Sequence, residues 1–518
     1  MIPFSFLIVG PDEELRFINS SASNNTGYGL NVQDMRSKVA VNSSVVSGNK
    51  YGAGIRIYQG AGEIAINNTL IEGNARSGIN ISYAGGYQLV NNSKILSTDG
   101  YGMITEYLQL NNSRFEHFLK MEIARSVFSL NEWIAIRVGN YCRGGEILIN
   151  TTDFYFNNNE AVEYLSCNVS TEAYPPTNIT LAFNNFRANK RHGILMSPII
   201  NTVGFITNNT FSKHSLGAVR IDNTYDLLVS KWYSKFKVDY KIYENTFTEN
   251  DGRYAIDMRL TQNSPYQKME FKFNRVIYNN ISDRSPYLNP RNRANAPIIV
   301  SSDNIFVQRN YIHNPDSVRD IATHLVDPSV TIQGSYNWWG ALTDDKIHRF
   351  VHSRIFDKDD RYNLANIEYF PVLREQWLYT GQTTFDIPKY RWVFHRGNKI
   401  GGILDVPGFT AQPNMHYQVD KDIFIKPGAT LELKPNSVLE FENSIGLVAH
   451  GRLKADGIQS GSPVRFTLKV DPDEVAIENR TASVRLVDGK DEYEGRLEVE
   501  MFDTWGAVCN KVLLCLQF

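Results

Sequence analysis

Hydrophobic residues in this chain come in bursts of two or three, at alternate positions, between turns rich in Asn, Ser, Thr and Gly. The same order of burst and turn recurs. It reads NSSVVSGNKYGAGIRI from Asn42, NNTLIEGNARSGINI from Asn67 and NNSKILSTDGYGMI from Asn91. Further copies follow from Asn111, Asn150, Asn184, Asn208, Glu244 and Lys272, with a weak one from Val307. Period-two alternation over so few residues predicts short strands rather than helices. The cleanest copies, opening at Asn42, Asn67 and Asn91, repeat every 24 or 25 residues. A unit of that size cannot bury its own apolar side, whereas stacked units form a continuous core. The spacing predicts a right-handed parallel β-helix with three short strands per turn, in which asparagines at equivalent turns stack and bond from coil to coil. The Leu-x-x-Leu-x-Leu pattern of leucine-rich repeats is missing, and propeller blades are longer.

The expected organisation is a β-helix with its C-terminal cap over 1–370, a linker over 371–412, the opening coils of a second β-helix unit over 413–480, and a different module over 481–518. The cap is read from Asn337, Trp338, Trp339 and Gly340 and the amphipathic stretch Asp344 to Phe356. Bulky aromatics and a helix would shield the last coil from stray strand pairing; the alternative role for the tryptophans is a sugar-stacking platform. In the second unit, short strands alternate with Pro-Gly, Pro-Asn and Gly turns, and Val448, His450, Gly451 and Leu453 are read as coil residues, His450 at an edge rather than as a ligand.

Composition narrows the function. With 518 residues, 42% hydrophobic and a formal net charge of -2, the chain has material for a long core and no basic stripe for nucleic acid or acidic lipid. Asn-x-Ser/Thr sequons begin at Asn19, Asn24, Asn42, Asn67, Asn80, Asn91, Asn111, Asn150, Asn168, Asn178, Asn208, Asn280 and Asn479. Turn and stack asparagines explain their positions, and secretory glycans need the same exposed turns, so an extracellular chain is expected. The apolar start MIPFSFLIVG lacks a basic flank and is read as a poor signal or as a strand. No apolar run is long enough to span a bilayer, which places any membrane anchor outside this sequence. Cys142 and Cys167 lie about one coil apart and form a candidate disulfide across adjacent turns, with a free buried pair as the alternative.

Chemistry is sparse. Glycoside hydrolysis needs two carboxylates on one cleft, and the best pair is Asp222 in AVRID with Asp257 in AIDM, at equivalent places in neighbouring copies, with Glu249 and Asp251 on the adjoining turn. A surface polar stack explains the same residues. His117, His192, His214 and His313 are read as turn residues without zinc spacing. No catalytic residue, metal or cofactor is expected.

The last stretch changes character. Val484-Arg485-Leu486-Val487-Asp488-Gly489, Glu494-Gly495-Arg496-Leu497-Glu498-Val499 and Trp505-Gly506-Ala507-Val508-Cys509 resemble the opening of a scavenger receptor cysteine-rich domain. The chain then reads KVLLCLQF, without most of that family's cysteines, so the module is expected to be partial and the chain a fragment or an incomplete gene model. In a complete module Asp488, Asp491 and Glu498 would be placed to help hold calcium. The order of modules resembles that of very large single-pass insect membrane proteins, built from repeated β-helix and scavenger-receptor modules, that organise epithelial tricellular junctions where septate junctions meet. That resemblance implies an adhesive, structural role at the extracellular face of the plasma membrane, with protein or glycan partners. A carbohydrate-active β-helix enzyme and a scavenger-type receptor are the competing readings.

Overall fold

The computed structural model describes residues 6–9, 14–35, 38–60, 62–84, 86–106, 119–139, 144–166, 175–223, 235–281, 294–341, 344–383, 394–442, 445–457 and 461–469, and the strands 484–487, 496–501 and 504–507. The chain divides into two units. The first comprises 1–289, 293–356 and 364–390; the second comprises 290–292, 357–363 and 391–518.

The first unit is a solenoid of three parallel sheets. Sheet 1 runs from Phe6–Val9 to Ile355–Phe356, sheet 2 from Leu15–Ile18 to Asn366–Glu368, and sheet 3 from Ser21–Ser23 to Tyr311–His313. Each coil as far as Tyr311–His313 contributes one strand to each, as the three-strand repeat predicts, and the last two strands of sheets 1 and 2 have no counterpart in sheet 3. The apolar start of the chain supplies the first described strand of sheet 1, so coils precede the first repeat read at Asn42.

Two tight corners, flanking sheet 3, set the shape. At each, one residue takes a left-handed backbone conformation, and the next turns its side chain inward. The first corner uses Asn19, Ser43, Asn68, Asn92, Arg125, Thr151, Phe183, Asn208, Glu244, Phe273 and Arg309 for the left-handed step. Asn and Gly adopt this conformation at little cost; a bulky residue adopts it only under constraint. The inward residues behind them form a ladder along the axis: Ser44, Thr69, Ser93, Ser126 and Thr152, then Asn184, Asn209, Asn245, Asn274, Asn310 and Asn337. The second corner has its own ladder, Asn49, Asn74, Thr98, Asn131, Asn157, Asn189, His214, Asn250, Asn279 and Asn314. Each amide oxygen accepts the backbone N–H of the preceding rung, and each amide nitrogen donates to a strand carbonyl, which gives buried backbone groups their partners.

Between the corners the core is stacked by kind. Phe128, Phe154, Phe186, Phe211 and Phe247 follow one another in sheet 3 with ring centroids 5.4, 4.9, 4.8 and 4.9 Å apart, near the strand spacing that the ladder imposes. Extra residues enter at the connection from sheet 1 to sheet 2. Gln88 pairs with Ile64 behind it and Met121 ahead of it, so the longer coil leaves the register intact.

At the far end Trp339 is buried in the core and Trp338 packs on Tyr311 with centroids 4.2 Å apart. Both indoles are 9% exposed or less, so they seal the coil rather than offer a sugar platform. The helix covers Asp344–Ser353 and seats Ile347 and Val351 in the core; the sequence reading carried it to Phe356, but Ile355–Phe356 pairs into sheet 1. Beyond residue 370 the chain remains part of the first unit to Tyr390: Tyr379 stacks on Phe273 at 4.1 Å, its hydroxyl donates to Glu244, and Arg309 donates to the Leu378 carbonyl at 3.0 Å.

The second unit again stacks parallel strands. Gly402–Leu404, Ile423–Ile425 and Leu447–Ala449 form one sheet; Phe409–Thr410, Thr430–Leu433 and Arg452–Ala455 form another; Lys399–Ile400, His416–Val419, Val438–Phe441 and Arg465–Leu468 form a third, edged by the antiparallel His395–Arg396. Tyr417, Ile423, Ile425, Leu431 and Leu439 fill its core. Two buried ion pairs brace it, Arg361–Asp422 at 2.7 Å and Lys421–Asp360 at 2.8 Å. The exposed His450 meets the Phe424 ring edge-on. Val484–Val487, Arg496–Met501 and Thr504–Ala507 pair as an antiparallel meander.

Candidate functional site

The outer face of sheet 1 carries a cluster of buried charge within the first unit. Gly217–Asp222 and Tyr254–Arg259 are adjacent strands, so the two acids picked from sequence do meet. Each already has a cation. Alternation puts Arg220 and Asp222 on one side of their strand, where they pair at 2.7 Å; Arg259 pairs with Asp257 at 2.8 Å in the same way. Across the strands Arg220 faces Asp257 and Asp222 faces Arg259, a square of alternating sign. Burial pulls Arg220 down, but Asp257, Tyr254 and Asp222 outweigh it and hold its pKa above the ordinary value. Asp257 is fully buried and Asp222 is 4% exposed. Neither oxygen pair is open in the way a hydrolytic carboxylate pair is. Glu249 sits apart, at the second corner, paired with Lys213 at 3.2 Å, while Asp251 is exposed.

Next to the square lies a constellation that sequence reasoning missed. His192 is on the strand His192–Met196, not in a turn, and its Nδ1 lies 3.2 Å from Glu160 Oε1 while its Nε2 lies 2.8 Å from the Tyr254 hydroxyl. Tyr254 reaches His192 by lying over Gly217, where a Cβ would come within 2.1 Å of the ring. Burial pushes His192 down, against the pull of Glu160, so the ring is neutral near pH 7. Burial also pushes Glu160 up, but the hydrogen bond from His192 and the Arg191 guanidinium bring it below its ordinary value. A neutral imidazole then donates from Nδ1 to Glu160 and accepts from Tyr254 at Nε2. Burial, with Asp257 nearby, raises the Tyr254 phenol, against the opposing pull of Arg220 and Arg259. These are the parts of a proton relay, yet Glu160, His192 and Tyr254 are each 5% exposed or less. Toward the N-terminal coils the face continues through Arg137, bridging Glu106 at 3.0 Å and Glu163 at 3.4 Å.

His214 is a rung of the second ladder and His313 ends a strand of sheet 3. His117, Cys142 and Cys167 lie outside the described residues, as do Asn111, Asn168, Asn479, Asp488 and Asp491; Glu498 is on the strand Arg496–Met501. Among the other sequons, Asn19, Asn24, Asn178, Asn208 and Asn280 are exposed, while Asn42, Asn67, Asn80, Asn91 and Asn150 are half-buried. Four of these motifs have a structural origin. Ser44, Thr69, Ser93 and Thr152, their third residues, are buried rungs whose hydroxyls donate to the Asn carbonyl two residues back. Asn42, Asn67 and Asn91 are register neighbours in sheet 2, and Asn67 donates to Asn42 at 3.1 Å.

Residues 6–142 match the family model described as "Right handed beta helix region", which agrees with the parallel solenoid and gives its hand. Among solved structures, a mutant form of the periplasmic alginate epimerase AlgG covers 85% of this chain and 77% of its own at 11% identity and a TM-score of 0.31. A second AlgG structure covers 85% and 75% at 8% identity and 0.28. Among the described residues no helix is long and apolar enough to cross a membrane. The chain is 32% identical to Protein bark beetle of Drosophila melanogaster over 97% of its own length. It spans 18% of that protein, and is homologous to that portion of it.

Proposed function

We propose that this chain is an extracellular structural and adhesive module of a large cell-surface protein that organises epithelial tricellular and septate junctions. The observation that carries the reading is the homology along 97% of the chain to a far longer insect protein. The physics of the fold supports it: a solenoid with continuous ladders is a stiff, extended surface, and the acids of its first sheet serve as counter-ions to arginines. On this reading residues 413–480 are the opening coils of another β-helix and 481–518 the start of a scavenger receptor cysteine-rich domain. The membrane anchor lies elsewhere in the full protein, and extracellular proteins or glycans are the partners. The test is the position of the tagged full-length protein in a polarised epithelium. Enrichment at vertices where three cells meet supports the reading; diffuse secretion into the medium overturns it.

One observation favours a second reading, a carbohydrate-active enzyme: the Glu160–His192–Tyr254 relay beside Arg220. Release of reducing ends or unsaturated products from a polysaccharide panel, abolished by Tyr254→Phe, is the result that would establish it.

A further inference from the structure

At the second corner, coils around residues 97–158 carry two parallel rows. The left-handed residues Ser97, Leu130 and Phe156 stand on successive coils and form one wall, apolar at Leu130 and Phe156. Two residues further along, Asp99, Glu132 and Asn158 form a wall of carboxylates and an amide, with Asn158 donating to Glu132 at 2.5 Å. Thr98 lies at their base, the fully buried rungs Asn131 and Asn157 follow it along the ladder, and backbone bonds such as Glu132 N–H to the Thr98 carbonyl hold the coils in step. The result is a shallow open groove along the solenoid axis, greasy on one side and hydrogen-bonding on the other.

We infer that this groove binds a neutral saccharide. Three observations converge. First, Leu130 is 53% and Phe156 52% exposed although each holds a positive φ, near 56° and 57°, that Asn24, Gly48 and Gly73 take at the same corner without bulk. Phe183 and Tyr278 combine the same conformation with exposure singly, but among the described residues only Leu130 and Phe156 do so on successive coils, side by side, the kind of outlier from which function is argued. Second, the walls suit a pyranose. Its C–H face packs on Leu130 and Phe156, its hydroxyls donate to Asp99 and Glu132 and accept from Asn158, and the carboxylates repel uronates and sulfates. Coil spacing of about 4.8 Å lets one ring span adjacent coils. Third, the molecule contains a precedent. At the other corner Phe273, also left-handed, is covered by the Tyr379 ring at 4.1 Å, whose hydroxyl donates to Glu244 on the neighbouring coil. A hydroxylated six-membered ring thus sits on an aromatic corner beside a carboxylate. There the visitor's backbone is held by Arg309, on the coil after Phe273. The coil after Phe156 offers Ala188 at that place, which cannot hold a peptide carbonyl and so favours a sugar over a tyrosyl peptide.

The test is saturation-transfer NMR and titration of the 518-residue chain with chitotetraose and with mannotriose, against hyaluronan tetrasaccharide and a tyrosine tetrapeptide. Phe156→Asn and Leu130→Asn place a residue suited to the left-handed conformation, so they fold at least as well as the parent. Saturation of one neutral sugar, weakened about tenfold by Phe156→Asn and several-fold by Glu132→Gln, is the expected result. Absence of binding by both neutral sugars, affinity unchanged in the Asn variants, or preference for the hyaluronan or the peptide would each overturn the assignment.

Discussion

Replacing Asn274 with alanine measures what one rung of the ladder contributes. Asn274 is fully buried. Its oxygen accepts the backbone N–H of Asn245 at 2.9 Å and the Asn245 side-chain amide at 3.0 Å; its nitrogen donates to the carbonyls of Ile242 at 2.8 Å and Lys272 at 3.0 Å and to Asn310 Oδ1 at 3.1 Å. Truncation does not strand all of these. The Asn245 amide keeps the Ile206 and Tyr243 carbonyls, and Asn310 Oδ1 keeps the Asn274 N–H. The Asn245 N–H and the Ile242 carbonyl lose the partners the rung supplied. At about 1–3 kcal/mol for each buried unsatisfied group, the expected cost is about 3 kcal/mol. Because each coil touches only its neighbours, that loss falls locally. Hydrogen exchange should accelerate about a hundredfold in the strands Val238–Tyr243 and Gln267–Lys272 and little in the coils near Asn67. Asn274→Asp sharpens the test. A carboxylate still accepts from Asn245 but faces three oxygens where the amide donated, so the order at neutral pH is Asn, then Ala, then Asp. Its folded pKa would lie above that of the unfolded chain, so the Asp variant regains stability as pH falls through that raised value. Uniform acceleration along the whole solenoid, or a cost under about 1 kcal/mol for the alanine variant, would refute the reasoning.

Further outcomes follow from other rungs and contacts. His214 breaks its ladder: both ring nitrogens lie 3.3 Å from carbonyls, of Asn189 and Phe186, and burial lowers its pKa to about 4. A lowered histidine contributes stability that is complete above the unfolded pKa and declines as pH falls, so acid denaturation between pH 6.5 and about 4 should steepen by on the order of 3 kcal/mol; His214→Asn should flatten that slope and raise the melting temperature at pH 5. Gly217→Ala drives a Cβ into the Tyr254 ring and should cost about 2–4 kcal/mol in chemical denaturation, with loss of the histidine NMR shift that reports the His192–Tyr254 bond. Glycopeptide mapping of the secreted chain should find Asn208 and Asn280 occupied, and no molecule with glycans on all three of Asn42, Asn67 and Asn91, whose side chains stand one strand spacing apart, about 4.8 Å.

The solenoid was legible because its rule is local: a polar corner, three residues of strand, a polar corner. The two corners also keep a constant offset, as in Asn184 and Asn189, Asn209 and His214, Asn245 and Asn250, and Asn274 and Asn279. That offset would have marked His214 as a rung and the Ser/Thr of the early sequons as rungs too. The adjacency of Asp222 and Asp257 was readable from their equivalent places in AVRID and AIDM. So was its cancellation, since Arg220 and Arg259 lie two positions from an acid and therefore on the same strand face. The Glu160–His192–Tyr254 relay was not readable. It joins three coils, and its reach depends on Gly217 lying beneath a tyrosine, a fact of packing rather than of periodicity. The helix ran long in the sequence reading because Ile355 and Phe356 extend its apolar stripe, while their strand pairing is set by the distant Ile321 and Ala322.

The separation between what is constant and what varies along the coils bears on function. The inward rows repeat by type, because a stack fails wherever one rung lacks its partner, and residues added at the connection from sheet 1 to sheet 2 leave both ladders in register. Outward positions carry no such requirement, so a departure there has to be explained by what it touches. Sheet 1 answers with internal pairing: every carboxylate in the Asp222–Asp257 square already meets a guanidinium, and charge spent in this way stiffens the face without presenting a field to a ligand. The second corner does not answer internally. Leu130 and Phe156 hold a strained conformation and remain half in water beside Asp99 and Glu132, while Phe273, in the same conformation at the first corner, has Tyr379 laid across it. The contrast between Phe273, covered by its own chain, and the open pair Leu130 and Phe156 on adjoining coils points to the groove rather than to the acids as the place for a ligand.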